Sequence, residues 1–492
     1  MTLQKTASLA SRHLLWAIAA LVLARLISLG FYPLMDTTEA RYGDIARRMV
    51  ERSDWITPWF TDTEPFWGKP PLSFWASALG FKVFGLNEFG ARLPHLLMAA
   101  LVAALSWMHA AQRSSRAGWH VVAILSSSLL FTVASGAVMT DMALTLGTTL
   151  VMVGFWAAMQ QQPSRQGRWH ALVVIGLSVG LLAKGPLALV LCGFPIAAWL
   201  LWQRRVLESF QRLGWLRIGL WTLLLSLPWY ALAELKTPGF LNYFLVGEHW
   251  HRFMTPLWTG DRYGAAHALP RGGVWLLLLG ACLPWPFVLA PWAWIRARAR
   301  STNNVDAAQT SSAAGTPKAQ TMYLLMWGLW PCVFFTFSGN VIWTYVLPGL
   351  PALALLAGQW MSSQSGKGTE RLLTGILWFW TLTLVVCVVL ANGQDYRDRR
   401  SVKALMADYT ATVQKGESLY YLYEIPFSGS FYSDGQAKGP IDIPQLLALP
   451  ASQPVLVVMP EEQLATLPES LKSRVTIISN RGGRLLLRVK PA

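Results

Sequence analysis

The run M-T-D-M-A-L-T-L-G-T-T-L-V-M-V-G-F-W-A-A, residues 139–158, carries one charge, Asp141, and no proline. A helix of about 20 apolar residues crosses about 30 Å of hydrocarbon. Comparable runs recur on both sides, at residues 14–29, 93–111, 119–137, 171–183, 187–202, 218–233, 274–295, 322–337, 342–360 and 373–390. Over 492 residues the chain is 53% hydrophobic and 13% charged, with 26 tryptophans and a mean hydropathy of +0.37. That composition excludes one or two soluble domains and predicts a polytopic α-helical membrane protein of about 11–13 transmembrane helices. Residues 171–202 are the hardest to divide, because Lys184-Gly185-Pro186 interrupts a run too long for one span and slightly short for two.

Basic residues of short loops stay on the cytoplasmic side. Lys and Arg collect at residues 113–116, 165–168, 204–217, 296–300 and 367–371, which all fall on one side if the N-terminus is cytoplasmic. The loops 31–90 and 234–272 and the C-terminal tail then lie on the opposite, external side. The net charge of +16 is mostly topological, with a contribution from contact with membrane lipids. It forms no single basic face, so nucleic acid is not an expected partner. The first span lacks a small-residue cleavage site and reads as a retained anchor. Cys192, Cys282, Cys332 and Cys387 lie in apolar runs and read as small hydrophobes. Residues 301–320, rich in Ser, Thr, Ala and Asn, read as a flexible cytoplasmic loop.

Two domains are expected, a transmembrane domain at 1–391 and a small soluble α/β domain at 392–492. The second has a helix-compatible stretch at 397–414 and β-prone runs at 418–424, 454–459, 475–478 and 485–489.

The outward loops hold the candidate chemistry. D-T-T-E-A-R-Y-G-D-I-A-R-R-M, residues 36–49, predicts a short interfacial helix over 38–51 with Asp36 at its cap. A partly desolvated Asp36 or Glu39 at the mouth of a membrane cavity can act as general base; equally, Asp36 can cap the helix while Glu39 lies on its solvated face. Lys69 stands in G-K-P-P, where two prolines present its ammonium rigidly. With Arg41, Arg92, Arg252 and Arg262 it can form a cationic pocket for phosphate, or it can snorkel at the bilayer surface. Charged Asp141 and Lys184, inside apolar runs, bind substrate or pair with each other. Tyr42 and Tyr345 add hydroxyls, with belt residues as the alternative. Glu248, His249, His251 and His267 have ligand types suited to a divalent metal, yet their spacing matches no tight signature, and interfacial histidines among tryptophans commonly form a belt.

Taken in order, D-T-T-E-A-R-Y, F-W-G-K-P-P-L-S-F-W, F-G-L-N-E-F-G-A-R-L-P, M-T-D-M-A-L, L-L-A-K-G-P, E-H-W-H-R-F and Y-V-L-P-G-L-P resemble the bacterial aminoarabinose transferases of lipid A and their protein O-mannosyltransferase relatives. These are membrane glycosyltransferases of the GT-C class, and the resemblance covers roughly residues 10–360 in motif order. It implies a multi-pass protein of the bacterial inner membrane with its active site on the periplasmic side, a lipid-linked donor of the undecaprenyl-phosphate type, a lipid A or other periplasmic acceptor, and inversion at the sugar carbon; a monomer is expected. By motif position Lys69, Asp141, Arg252 and Tyr345 match family residues. Two departures stand out. The family reads D-E-x-R-Y where this chain has Thr38 before Glu39, leaving Asp36 as the candidate base with Glu39 as competitor. The acid that commonly precedes the lysine is Gly68, so no obligatory cofactor or metal is expected. A protein O-mannosyltransferase-like activity is the nearest alternative. A lipid-linked sugar flippase is the alternative from another class, although the chain shows neither repeated halves nor broken midplane helices.

Overall fold

Helices dominate the computed structural model, which describes residues 2–160, 166–264, 267–301, 318–364, 367–449 and 454–490. The expected loop at 301–320 lies almost wholly outside them, as do Arg165 and the side chains at 296–300 and 367. The chain opens with α1 (Thr2–Ser28), α2 (Thr38–Glu51), α3 (Leu72–Phe84), α4 (Glu88–Ala111), α5 (Ser115–Ser126) and α6 (Leu129–Ala134). It continues with α7 (Thr140–Gln160), α8 (Gln166–Lys184), α9 (Leu187–Gln203), α10 (Val206–Leu213) and α11 (Trp215–Lys236).

Among the described residues, α4, α7, α11 and Gly368–Ala391 are each long and apolar enough to span a membrane. A further pair, Gly273–Ala281 and Trp285–Trp294, passes the same test together but bends by 81°. Several expected spans are therefore shorter or broken. The run 119–137 divides into α5 and α6, where the hydroxyls of Ser127 and Ser128 bond back to the carbonyls of Ala123 and Ile124 and loosen the helix. The run 342–360 starts as a 3-10 turn, Trp343–Gly349, before the helix Leu350–Ser363. Residues 171–202 form two helices, because Gly185 takes a left-handed φ of +67° and Pro186 begins the next. The unexpected element is α3, whose 13 residues are too few for a span.

Helix α7 is the axis of the bundle, with residues Thr140–Met159 all buried. It meets α8 through glycines: a Cβ at Gly147 would lie 2.7 Å from the Gly180 nitrogen. Backbones this close exclude larger side chains.

A separate core stands under the first outward loop. Ala40, Ile45, Ala46 and Met49 of α2 pack with Phe74, Ala78 and Phe81 of α3, and Phe431 from the C-terminal region completes the cluster. That region carries a five-stranded sheet of β1 (Leu419–Leu422), β2 (Lys438–Ile441), β3 (Val455–Pro460), β4 (Val475–Arg481) and β5 (Arg484–Val489) in the order β2-β1-β3-β5-β4. The inner strand β3 runs parallel to β1 and antiparallel to β5. The expected helix at 397–414 is two helices, Gln394–Arg400 and Lys403–Thr412. β2, reading K-G-P-I, carries no β-prone signal in the sequence.

Candidate active site

Charged residues from four separate segments converge where α2, α7, α8 and the second outward loop meet. Two cavities share this point. One is polar, about 130 Å³, and is lined by Thr38, Arg41, Tyr42, Asp141, Asp261 and His267 among others. The other is an apolar groove of about 340 Å³ walled by Leu187, Val190, Trp250, Phe253, Phe334 and Phe335. Lys69, Lys184, Glu248, Arg252 and Tyr345 line both and form the junction.

Each charge at the junction is already matched. Lys69 Nζ donates to Glu248 Oε2 at 2.6 Å, and Arg252 lies 3.2 Å from Glu248 and 3.0 Å from Asp261. Burial alone would push the Glu248 carboxyl up, but the charges of Lys69 and Arg252 outweigh it and hold the group below the usual carboxylate range. Lys184, ending α8, pairs with Asp141 at 2.7 Å and lies 4.8 Å over the ring of Tyr345. The sequence leaves open whether Asp141 and Lys184 bind substrate or pair with each other; the structure pairs them inside the cavity wall.

Local backbone explains how the second loop delivers its residues. Tyr243–His251 is a wide π-helical turn, a form concentrated at functional sites. It turns Glu248 toward Lys69 while His249 faces the carbonyls of Phe244 and Lys184, at 2.7 and 3.1 Å. Asn340 donates to the carbonyls of Arg252 and Thr255 at 2.6 and 2.8 Å and fixes the turn after Arg252. Arg41 donates to the carbonyl of Tyr263 and packs between the rings of Tyr42 and Phe427.

Four expected site residues are placed elsewhere. The Asp36 carboxylate accepts from the N–H and hydroxyl of Ser428, at 2.9 and 2.5 Å, so it joins the C-terminal region to the start of α2. Burial lifts its pKa above the ordinary value. It does not cap α2, whose cap position is Thr37 with no side-chain cap bond. Glu39 pairs with fully buried Arg92 at 2.8 Å; burial opposes its ionisation, but Arg92 and the Val138 N–H more than compensate and lower its pKa. Arg92 also donates to the carbonyls of Leu29, Tyr32 and Pro33, which makes it a structural tie, and it lines neither cavity. Arg262 pairs with Glu64 at 3.0 Å and covers Trp67, outside both cavities.

The possible metal set is also not assembled. Among the described residues no three His, Cys, Asp or Glu side chains are grouped to hold an ion. His249 is turned to backbone carbonyls, and His251 stacks on Trp258 at 6.2 Å. Sequence reading missed Asp261, which pairs with Arg252, and the role of Glu248 as a counter-charge. An acidic residue four before an arginine was the available signal for Glu248.

A multi-pass helical body, charged loops closing over an apolar groove, and a small sheet region make up the architecture that the comparisons match. Residues 17–244 match the dolichyl-phosphate-mannose-protein mannosyltransferase family. The chain is 28% identical to undecaprenyl phosphate-alpha-4-amino-4-deoxy-L-arabinose arabinosyl transferase 1 of Pseudomonas fluorescens, over 94% of this chain and 79% of that one. It is 31% identical to the corresponding transferase of Erwinia tasmaniensis over 70% of this chain, an alignment that spans 59% of the relative's length. The crystal structure of ArnT from Cupriavidus metallidurans bound to undecaprenyl phosphate superposes with a TM-score of 0.77 at 18% identity, covering 96% of this chain and 97% of that one. The chain is a polyprenyl-phosphate-sugar-dependent glycosyltransferase similar to the aminoarabinose arabinosyl transferases and, over residues 17–244, to the protein mannosyltransferases.

Proposed function

We propose that the protein transfers 4-amino-4-deoxy-L-arabinose from an undecaprenyl-phosphate donor to a lipid A acceptor. It does so as a monomer, at the periplasmic face of the bacterial inner membrane. The observation that carries this reading is the junction itself: an apolar groove suited to a polyprenyl tail opens onto Lys69, Arg252 and Tyr345, which suit its phosphate. The sugar then lies in the polar cavity, bounded by Arg41, Tyr42 and Asp141.

In the reaction the acceptor oxygen forms a bond to the sugar's anomeric carbon as the bond to the donor phosphate oxygen breaks, with inversion. Negative charge grows on the departing phosphate, where Lys69, Arg252 and the Tyr345 hydroxyl stabilise it. Positive charge grows on the sugar ring, which Asp141 and Glu248 offset. With Asp36 and Glu39 engaged elsewhere, Asp141, which lines the polar cavity together with Glu248 and Asp261, orients the acceptor or takes its proton.

The test is transfer by the purified full-length protein from undecaprenyl-phosphate aminoarabinose to lipid A. Lys69→Ala and Arg252→Ala should each lower transfer by about 100-fold or more. Full activity in both would overturn the phosphate assignment. Label passing to polypeptide hydroxyls but not to lipid A would overturn the acceptor.

A further inference from the structure

At the opposite end of α8 from Lys184, roughly 25 Å along the helix at 1.5 Å per residue, a separate cavity of about 770 Å³ lies between α8, α10 and α11. It shares no residue with the active site. Its wall is divided by chemistry. His170, Arg212 and Arg217 form one edge, while Val174, Ile175 and Trp221 form the other. Ile175 and Trp221 are 46% and 55% exposed on the flank of the bundle, as expected of side chains that meet lipid.

The edge is built, not incidental. Gly214, at φ +58°, makes the left-handed turn that ends α10 and starts α11, and so sets Arg212 and Arg217 at the rim of one cavity. His170 reaches across from α8 to the Arg212 carbonyl at 2.8 Å. Residues 204–217 contain four arginines and one acid, Glu208. Glu208 is shared by Arg205 and Arg212, at 2.6 and 2.7 Å. Among the described residues Arg217 has no carboxylate partner.

We infer that this cavity binds one anionic glycerophospholipid, its phosphodiester at Arg217 and Arg212 and the upper acyl chains against Val174, Ile175 and Trp221. Basic pockets between membrane helices suit anionic headgroups, and the apolar edge continues into the bilayer where the acyl chains lie. On the sidedness proposed above, the lipid comes from the cytoplasmic leaflet; the binding itself does not depend on the transferase reading.

Native mass spectrometry of the full-length protein in detergent, titrated with phosphatidylglycerol or phosphatidylethanolamine, tests the site. Phosphatidylglycerol should be retained preferentially, and Arg217→Gln should cut its occupancy by about fivefold, as loss of one interfacial arginine implies. Arg371→Gln, at an exposed arginine on another helix, should leave occupancy unchanged. Ile175→Trp, which fills the cavity from its apolar side, should reproduce the loss if glutamine at 217 compromises folding. Equal retention of the two lipids, or equal loss with Arg371→Gln, overturns the site. So does displacement of the Arg217-dependent adduct by undecaprenyl phosphate, which would give the cavity to the carrier lipid.

Discussion

Asp36 and Glu248 are each engaged in a way that the sequence does not suggest. Asp36 is tied to Ser428 by two hydrogen bonds. Asparagine can keep both by accepting from the backbone N–H and donating to the hydroxyl. Asp36→Asn should therefore retain most transfer activity, whereas Asp36→Ala should lose about 1–3 kcal/mol of stability by stranding its partners. Loss of transfer in a folded Asp36→Asn protein would restore Asp36 as the base. The carboxyl's pKa is raised above its ordinary 3.8 by burial, so between those two values the folded state binds more protons than the unfolded one. Stability should fall as pH rises through that window, and Asp36→Asn should flatten the slope in thermal unfolding measured across it. Glu248 has the opposite shift, so its pair with Lys69 persists at neutral pH and is lost only as pH falls below the usual carboxylate range. Glu248→Gln should leave Lys69 and Arg252 underbalanced and tighten binding of phosphate-headed lipids while slowing turnover, read as KM and kcat moving down together.

At the scale of elements, α2 matters most, because its outer end carries Thr38, Arg41 and Tyr42 while its other face is held by the short helix Phe427–Tyr432. Ser430 donates to Asp44 at 2.9 Å, Tyr432 donates to Glu88 at 2.8 Å, and Phe427 covers Arg41. Phe427→Ala should loosen Arg41 and lower kcat about tenfold with a thermal midpoint close to that of the unmodified protein. A large drop in midpoint with unchanged kcat would make Phe427 a stability residue only. The glycine seam between α7 and α8 supports a second prediction. Gly147→Leu would force apart backbones that approach within van der Waals contact, so little folded protein should be recovered from membranes.

At the scale of the molecule, the sequence showed the charges that apolar surroundings make conspicuous. Lys69 between glycine and prolines, Asp141 and Lys184 in apolar runs, and Arg252 after E-H-W-H all reach the site. What was not legible depends on distance or on backbone form. The Asp36–Ser428 contact joins residues 392 positions apart, and no local pattern near Asp36 marks it as taken. The π-helical turn shifts Glu248 and His249 off the faces that a regular helix would give them, a backbone form that the ligand types suggesting a metal do not report. Residues 392–492 read as an appended unit, yet Phe431 completes the core beneath α2. Truncation before residue 392 should thus abolish transfer even if the helical body still inserts, as measured by activity per mole of folded protein.

The charge balance at the junction has a further consequence for the order of events. Lys69 and Arg252 are both paired with Glu248, so on the proposed phosphate assignment an arriving phosphate acts as a competitor that swaps places with Glu248. On the same assignment a lipid with a zwitterionic head, which carries no net charge, competes for that exchange less well than an anionic phosphate. The same swap runs backward after transfer. On that assignment Glu248 competes again for Lys69 once the sugar has left, and so favours release of the spent carrier by the residue that it displaced on arrival.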